Sequence, residues 1–166
     1  MFHTIEDFLS VWQIESDATL KVFRTLTDES LGQRVTPDGR TLGFIAWHIT
    51  GSLTYTLGEV GMPIAAVSEK DPLPASASAI AAAFDTCAKA VAEAVRDNWT
   101  DAQLFDYIPI YGQSWTKGMV LASLIAHSCH HRGQMTVLMR QAGLKVPGVY
   151  GPSKEEWANY AMDPQP

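Results

Sequence analysis

A chain of 166 residues, 46% apolar and 18% charged, is long enough for one domain built around a substantial core. Its formal net charge is −6 and it holds no basic run, which argues against nucleic acid as a partner, because that affinity rests largely on Lys and Arg neutralising phosphates. No apolar stretch approaches the length that crosses a bilayer, the first residues lack the basic-then-apolar order of a secretory signal, and Cys87 and Cys129 form no CxxC pair, so the expectation is a cytoplasmic protein in a reducing compartment, with no membrane partner.

The first segment runs from about residue 4 to 26. Ile5, Phe8, Leu9, Trp12, Thr19, Val22, Phe23 and Leu26 recur at steps of three and four, the period of an amphipathic helix. Thr27-Asp28-Glu29-Ser30 and Thr36-Pro37-Asp38-Gly39 then read as loop. Thr41 is an N-cap for a second helix to about residue 59, with Leu42, Ile45, His48, Ile49, Ser52, Leu53 and Tyr55 near one face. Gly61-Met62-Pro63 stops it, and Pro63, Pro72 and Pro74 mark a long connection to residue 78.

An Ala-rich third helix spans about 78–99, with Ile80, Phe84, Cys87, Val91 and Val95 on one stripe; Ala has the best helix propensity and permits close helix approach. Between 101 and 115 the pattern is irregular, with a short extended pair at 107–110 and 113–115. The fourth helix runs from Thr116, its cap, to about residue 141 and stops at Gly143. Ser153-Lys154-Glu155-Glu156 reads as a capping box opening a short last helix. These segments predict an all-α fold: a four-helix bundle covering residues 1–166 as one domain, with a long second connection and a short C-terminal helix.

Of the five histidines, three crowd into the fourth helix as His127, His130 and His131. Side chains four apart share a helix face, so His127 and His131 are neighbours, on the stripe that carries Leu124 and Leu138. A lone inward histidine is ordinarily a hydrogen-bonded core residue. Two facing an apolar core both need partners, and a shared cation satisfies one nitrogen on each, as in the helical i, i+4 zinc chelate. His48, in the middle of the second helix, is the candidate third ligand. Three protein ligands leave a coordination position open, the pattern of a catalytic rather than a closed site.

The neighbouring residues have weaker claims. His130 leaves the helix some way round from the pair, and His3 lies at a frayed terminus. Gln134, one turn beyond His131, is a candidate to hold that ring's second nitrogen or to orient a water, with a plain polar helix residue as the alternative. Arg132 points away from the histidines, towards helix or subunit contacts, and Gly133 permits close packing. Tyr55 and Glu59 are placed to reach a pocket, Trp115 to line its mouth, and Cys129 lies on the far face. No Ser-His-Asp order, phosphate loop or paired-carboxylate spacing stands out, and no general base is evident.

His127-Ser-Cys-His-His131-Arg-Gly-Gln134 resembles the H-x-x-x-H-R-G-Q signature of the DinB/YfiT-like family. Thr41-Leu-Gly-Phe-Ile-Ala-Trp-His48 resembles that family's capped helix with a lone histidine, and Leu144-Lys-Val-Pro-Gly-Val-Tyr-Gly-Pro-Ser153 is similar to an extension found in some members. The likeness spans about residues 8–160. It implies a DinB-like bundle with one divalent ion, zinc or nickel, on His48, His127 and His131, and a homodimer, for which the apolar Ile125 on the other face of the fourth helix also speaks. It further implies a small-molecule substrate and relatives that use low-molecular-weight thiols. The functional expectation is therefore a metal-dependent enzyme that activates water or such a thiol, a hydrolase or an S-transferase. The alternative is a non-catalytic module in which the ion is structural or sensory.

Overall fold

The computed structural model describes residues 2–164. Four helices carry the architecture: α1 (Ile5–Phe23), α2 (Leu42–Glu59), α3 (Ala77–Asn98) and α4 (Lys117–Gln141), with a hairpin of β1 (Tyr107–Ile110) and β2 (Gln113–Thr116) leading into α4. Each helix begins where a side-chain oxygen can satisfy a free backbone N–H. Thr4, Thr41, Ser76 and Thr116 accept from the N–H groups of Asp7, Phe44, Ala79 and Met119, and Thr4 with Asp7 closes a full capping box. The expected stops hold as well. Gly61 and Gly143 take left-handed φ values of 77° and 76°. The next N–H groups, of Met62 and Leu144, reach back to the carbonyls of Leu57 and Met139 at 2.8 and 2.9 Å, which is the Schellman arrangement.

α1 packs on α3 and α4, and α2 packs on the same two helices. The ring order is therefore α1-α3-α2-α4, with consecutive α1 and α2 on a diagonal, which a simple up-down bundle does not allow. One apolar cluster joins the helices, and every apolar stripe residue expected in the first and third segments is buried in it. The indole N–H of Trp12 donates to the Ala88 carbonyl at 2.9 Å, tying α1 to α3.

Away from the histidines, α4 is fixed to α1 by a buried ion pair. Arg132, 2% exposed, donates to the Glu15 carboxylate at 2.7 Å, to the Glu15 carbonyl at 3.0 Å and to Thr19 Oγ1 at 2.9 Å. The Tyr150 hydroxyl also donates to Glu15, at 2.8 Å, so the segment after α4 is strapped across the same point. Arg132 thus makes the interhelical contact expected of it, and Cys129 lies here too, with Sγ 2.8 Å from the Tyr150 hydroxyl. Arg132 and the other donors hold the Glu15 carboxyl below its ordinary range although burial pushes the other way. Ile125 is half-buried against the core rather than freely exposed.

The C-terminal helix is shorter than the sequence suggests: a single 3-10 turn, Trp157–Tyr160. Only one arm of the expected capping box forms. Glu156 accepts from the Ser153 N–H at 3.2 Å, but among the described residues the Ser153 hydroxyl has no hydrogen-bond partner. Glu156 is drawn instead towards the Gly148 N–H at 3.0 Å and Lys21 at 3.2 Å, and those bonds close the loop before it instead of extending a helix after it.

Candidate metal centre

α2 and α4 are ring neighbours, and that adjacency brings His48 opposite His127 and His131. Their ring centroids are 5.0 Å (His48–His127), 4.8 Å (His48–His131) and 4.5 Å (His127–His131) apart. One ring nitrogen of each lies within 4.8 Å of the other two. Three nitrogens about 2.1 Å from one tetrahedral ion lie about 3.4 Å apart, so a closure of up to about 1.4 Å by side-chain rotation brings them onto it.

The Nδ1 atoms have partners that select a tautomer for each ring. His131 Nδ1 lies 2.8 Å from Gln134 Oε1, an acceptor, so it donates. His48 Nδ1 lies 3.0 Å from the Glu69 carboxylate and also donates. His127 Nδ1 lies 3.3 Å from Ser52 Oγ. That hydroxyl gives its own proton to the Ile49 carbonyl at 2.8 Å and can only accept from the ring. With the Gln134 amide in this orientation all three Nδ1 atoms carry the proton, which leaves each Nε2 its lone pair. Partners of this kind orient metal-ligating imidazoles and raise their basicity.

Burial disfavours the charged form of His127 and His131. It is the main cause that brings His127 down to about 4, with His131, His48 and His130 adding repulsion. Burial also lowers His131, against the opposing hydrogen bond it makes to Gln134. His130 is exposed and outside the cluster, and its Nε2 accepts from the Gln134 amide at 3.2 Å. Gln134 thus bridges the two rings.

Glu69 is the residue that sequence reasoning missed. It lies on the connection between α2 and α3, where no periodicity singles it out. Two contacts bring it to His48. The Trp47 indole donates to the Asp71 carbonyl at 3.0 Å, and Gly51 leaves room for the chain: an added Cβ there would sit 2.6 Å from Glu69 Cγ and 2.7 Å from its backbone nitrogen. The one signal in the sequence is Gly51 itself, since a glycine inside a helical pattern often marks a close approach.

A cavity of about 340 Å³ opens onto the cluster. His48, His127 and Glu69 stand on one side of it and Tyr55, Tyr111 and Trp115 on another. Tyr55 and Trp115 are thus where the sequence placed them, whereas Glu59 is not among the lining residues. A larger groove of about 420 Å³ between α1 and α3 touches none of the histidines.

The same architecture occurs in solved structures. A DinB-like protein of Bacillus cereus ATCC 10987 matches with a TM-score of 0.86 and 43% identity, over 90% of this chain and 100% of that one. The DinB-like protein YjoA of Bacillus subtilis matches with a TM-score of 0.68 at 15% identity, over 86% and 97% of the two chains, and so shares the fold. Bacillus subtilis (strain 168) YrdA is 45% identical over 163 residues, 98% of each chain. The model of the DinB family matches residues 1–165. With the bundle, the histidine cluster and a match over almost the whole sequence in agreement, the chain belongs to the DinB family.

Proposed function

We propose that the protein is a metal-dependent enzyme in which His48, His127 and His131 hold one divalent ion, zinc or nickel, against a small-molecule substrate. The observation that carries this reading is the tautomer pattern: three Nδ1 atoms donate to Glu69, Ser52 and Gln134. That leaves the second nitrogen of each ring as the candidate ligand, in a cluster whose offered nitrogens lie within 4.8 Å of one another. Among the described residues no donor meets them, and a cation is the partner that three neutral imidazoles share best. Such an ion supplies Lewis acidity at an open position, enough to acidify a low-molecular-weight thiol or a water.

The chain's own residues do the rest. Gln134, Ser52 and Glu69 fix the three rings, and α2 and α4 hold them without a flexible loop. Among the described residues Glu69 is the one carboxylate on the cavity wall; it orients His48 through one oxygen and leaves the other to accept the proton of the nucleophile. The cavity is what favours catalysis over a structural or sensory ion, since a staple needs no adjoining space. The enzyme works in the cytoplasm as a homodimer. Two unpaired cysteines fit a reducing compartment, and no helix among the described residues is long and apolar enough to cross a membrane.

Elemental analysis of protein purified without an affinity tag, followed by a screen of hydrolysis and thiol-transfer reactions with and without chelator, tests this. One ion per chain and a chelator-sensitive activity are expected. An ion that chelation removes with loss of the fold but no activity in any assay means that it is structural.

A further inference from the structure

Tyr111 stands at the tip of the hairpin with φ 53°, followed by Gly112 at 71°. Ile110 pairs with Gln113, so these two residues are the whole loop. Two-residue turns with both centres in the left-handed region favour Asn-Gly. A tyrosine there is uncommon, and such strain persists where the surroundings hold it and tends to collect at ligand sites. Here the Tyr111 hydroxyl bonds Thr56 of α2 at 3.0 Å. The ring lies nearly parallel to Tyr55, 6.3 Å away at 15°, and meets Trp115 edge to face at 5.7 Å. Tyr55 and Tyr111 remain 52% and 46% exposed, so their rings are not consumed by packing. The three aromatics form one wall of the cavity that His48 and His127 face.

The charge of that cavity is equally restrictive. Among the described residues no lysine or arginine lines it, its polar groups include the hydroxyls of Ser52, Thr56 and Ser123, and Glu69 is its one charged side chain. Glu59 and Glu69 both lie close enough to Tyr55 to push its phenol up. A phosphate or carboxylate lying against this wall, away from the ion, needs an arginine or lysine, and the wall has none. Three rings in edge-to-face and parallel contact instead offer surfaces for a fourth, with a preference for aromatic over aliphatic partners.

We propose that this cavity binds a small uncharged aromatic molecule on the Tyr55–Tyr111–Trp115 wall, with Tyr111 as the contact that sets specificity. The inference rests on the reading that the cavity beside the histidines is where the chemistry occurs, and it names the substrate class for that site.

The test is an NMR titration of the zinc-loaded protein, following the Trp115 indole N–H, with benzyl alcohol, cyclohexylmethanol and benzenesulfonate. Benzyl alcohol should bind about fivefold more tightly than either of the others. Tyr111→Asn, which suits the turn, should weaken benzyl alcohol about fivefold while leaving zinc per chain unchanged, and Tyr111→Phe, which keeps the ring, should stay within about twofold. Equal or tighter binding of cyclohexylmethanol or benzenesulfonate, no saturable binding of any probe, or full affinity in Tyr111→Asn overturns the proposal. Zinc content measured on the same samples separates the two readings: selective binding without zinc sinks the metal site alone, and zinc without selective binding sinks this proposal alone.

Discussion

Gly51 and Glu69 are in contact because one has no side chain: the Glu69 backbone runs where a Cβ on Gly51 would be, 2.7 Å from the Glu69 nitrogen. That approach sets the Glu69 carboxylate 3.0 Å from His48 Nδ1. Gly51→Ala should therefore act at a distance, pushing the connection outward and releasing His48. Overpacking of this kind costs about 1–3 kcal/mol. Loss of the carboxylate–imidazole bond should weaken metal binding about 10- to 100-fold, as for other partners of metal-ligating histidines. Glu69→Gln should reproduce the loss of affinity with little loss of stability. Competition with a chelator of known affinity measures the first effect and urea denaturation the second; a Glu69→Gln protein that binds within about twofold of wild type would remove Glu69 from the centre.

How far the sequence carries depends on whether the determinant is local. Helix ends were legible because capping is local: Thr41 and Thr116 sit one residue before their helices, and Gly61 and Gly143 just past theirs. His127 and His131 were legible as a pair because helix geometry fixes their spacing. Glu69 was not, because nothing within its own segment places it; a contact to Gly51 on another element does. Ser153–Glu156 had the composition of a capping box, and the competing bonds to Gly148 and Lys21 are long-range facts that no local pattern contains.

Arg132 belongs to the same signature as His131 and Gln134 but has a different task. Its guanidinium is 2% exposed and is the cation that pairs with Glu15, itself 8% exposed. Arg132→Ala strands a buried carboxylate, and breaking a buried pair from one side costs about 3–5 kcal/mol. Metal per folded chain should not change. Arg132→Met with Glu15→Leu, which removes both charges, should recover much of the stability. A double variant no more stable than Arg132→Ala would show that the loss lies in packing and not in the unpaired charge.

Stability in the presence of chelator should fall as the solution is acidified. Burial holds His127 down to about 4 in the folded chain, against 6.5 for the ordinary group. Above 6.5 both folded and unfolded chains carry it neutral, and stability is full. Between 6.5 and 4 the unfolded chain takes up a proton that the folded chain refuses, so stability drops as pH falls. Below about 4 both are protonated and the effect saturates. His131, lowered for the same reason, adds to the slope in the same direction. Urea midpoints from pH 4 to 7.5 should show this, and His127→Gln should flatten part of it. A wild-type profile with no slope in that window would mean that the cluster is more open to solvent than its burial indicates.

The ligand assignment has the most discriminating test. His48, His127 and His131 each supply one nitrogen to the cluster, and His130 supplies none. Each of the changes His48→Ala, His127→Ala and His131→Ala leaves two ligands, and should remove most of the bound metal. His130→Ala should retain it, since that exposed ring offers no nitrogen to the cluster and meets it only edge to face at His131, 4.8 Å between centroids, and through the Gln134 amide. Gln134→Ala is intermediate: His131 keeps its lone pair but loses the acceptor that fixes its tautomer, so affinity should fall about 10- to 100-fold while the stoichiometry at saturation stays at one. Proton competition gives an independent reading, because ligation requires neutral imidazoles. Zinc affinity of the wild type should weaken as the solution is acidified towards about 4, where the buried His127 takes up a proton, and more steeply than for any single variant. Full occupancy in His48→Ala, or loss in His130→Ala as complete as in His131→Ala, would show that a different set of side chains holds the ion.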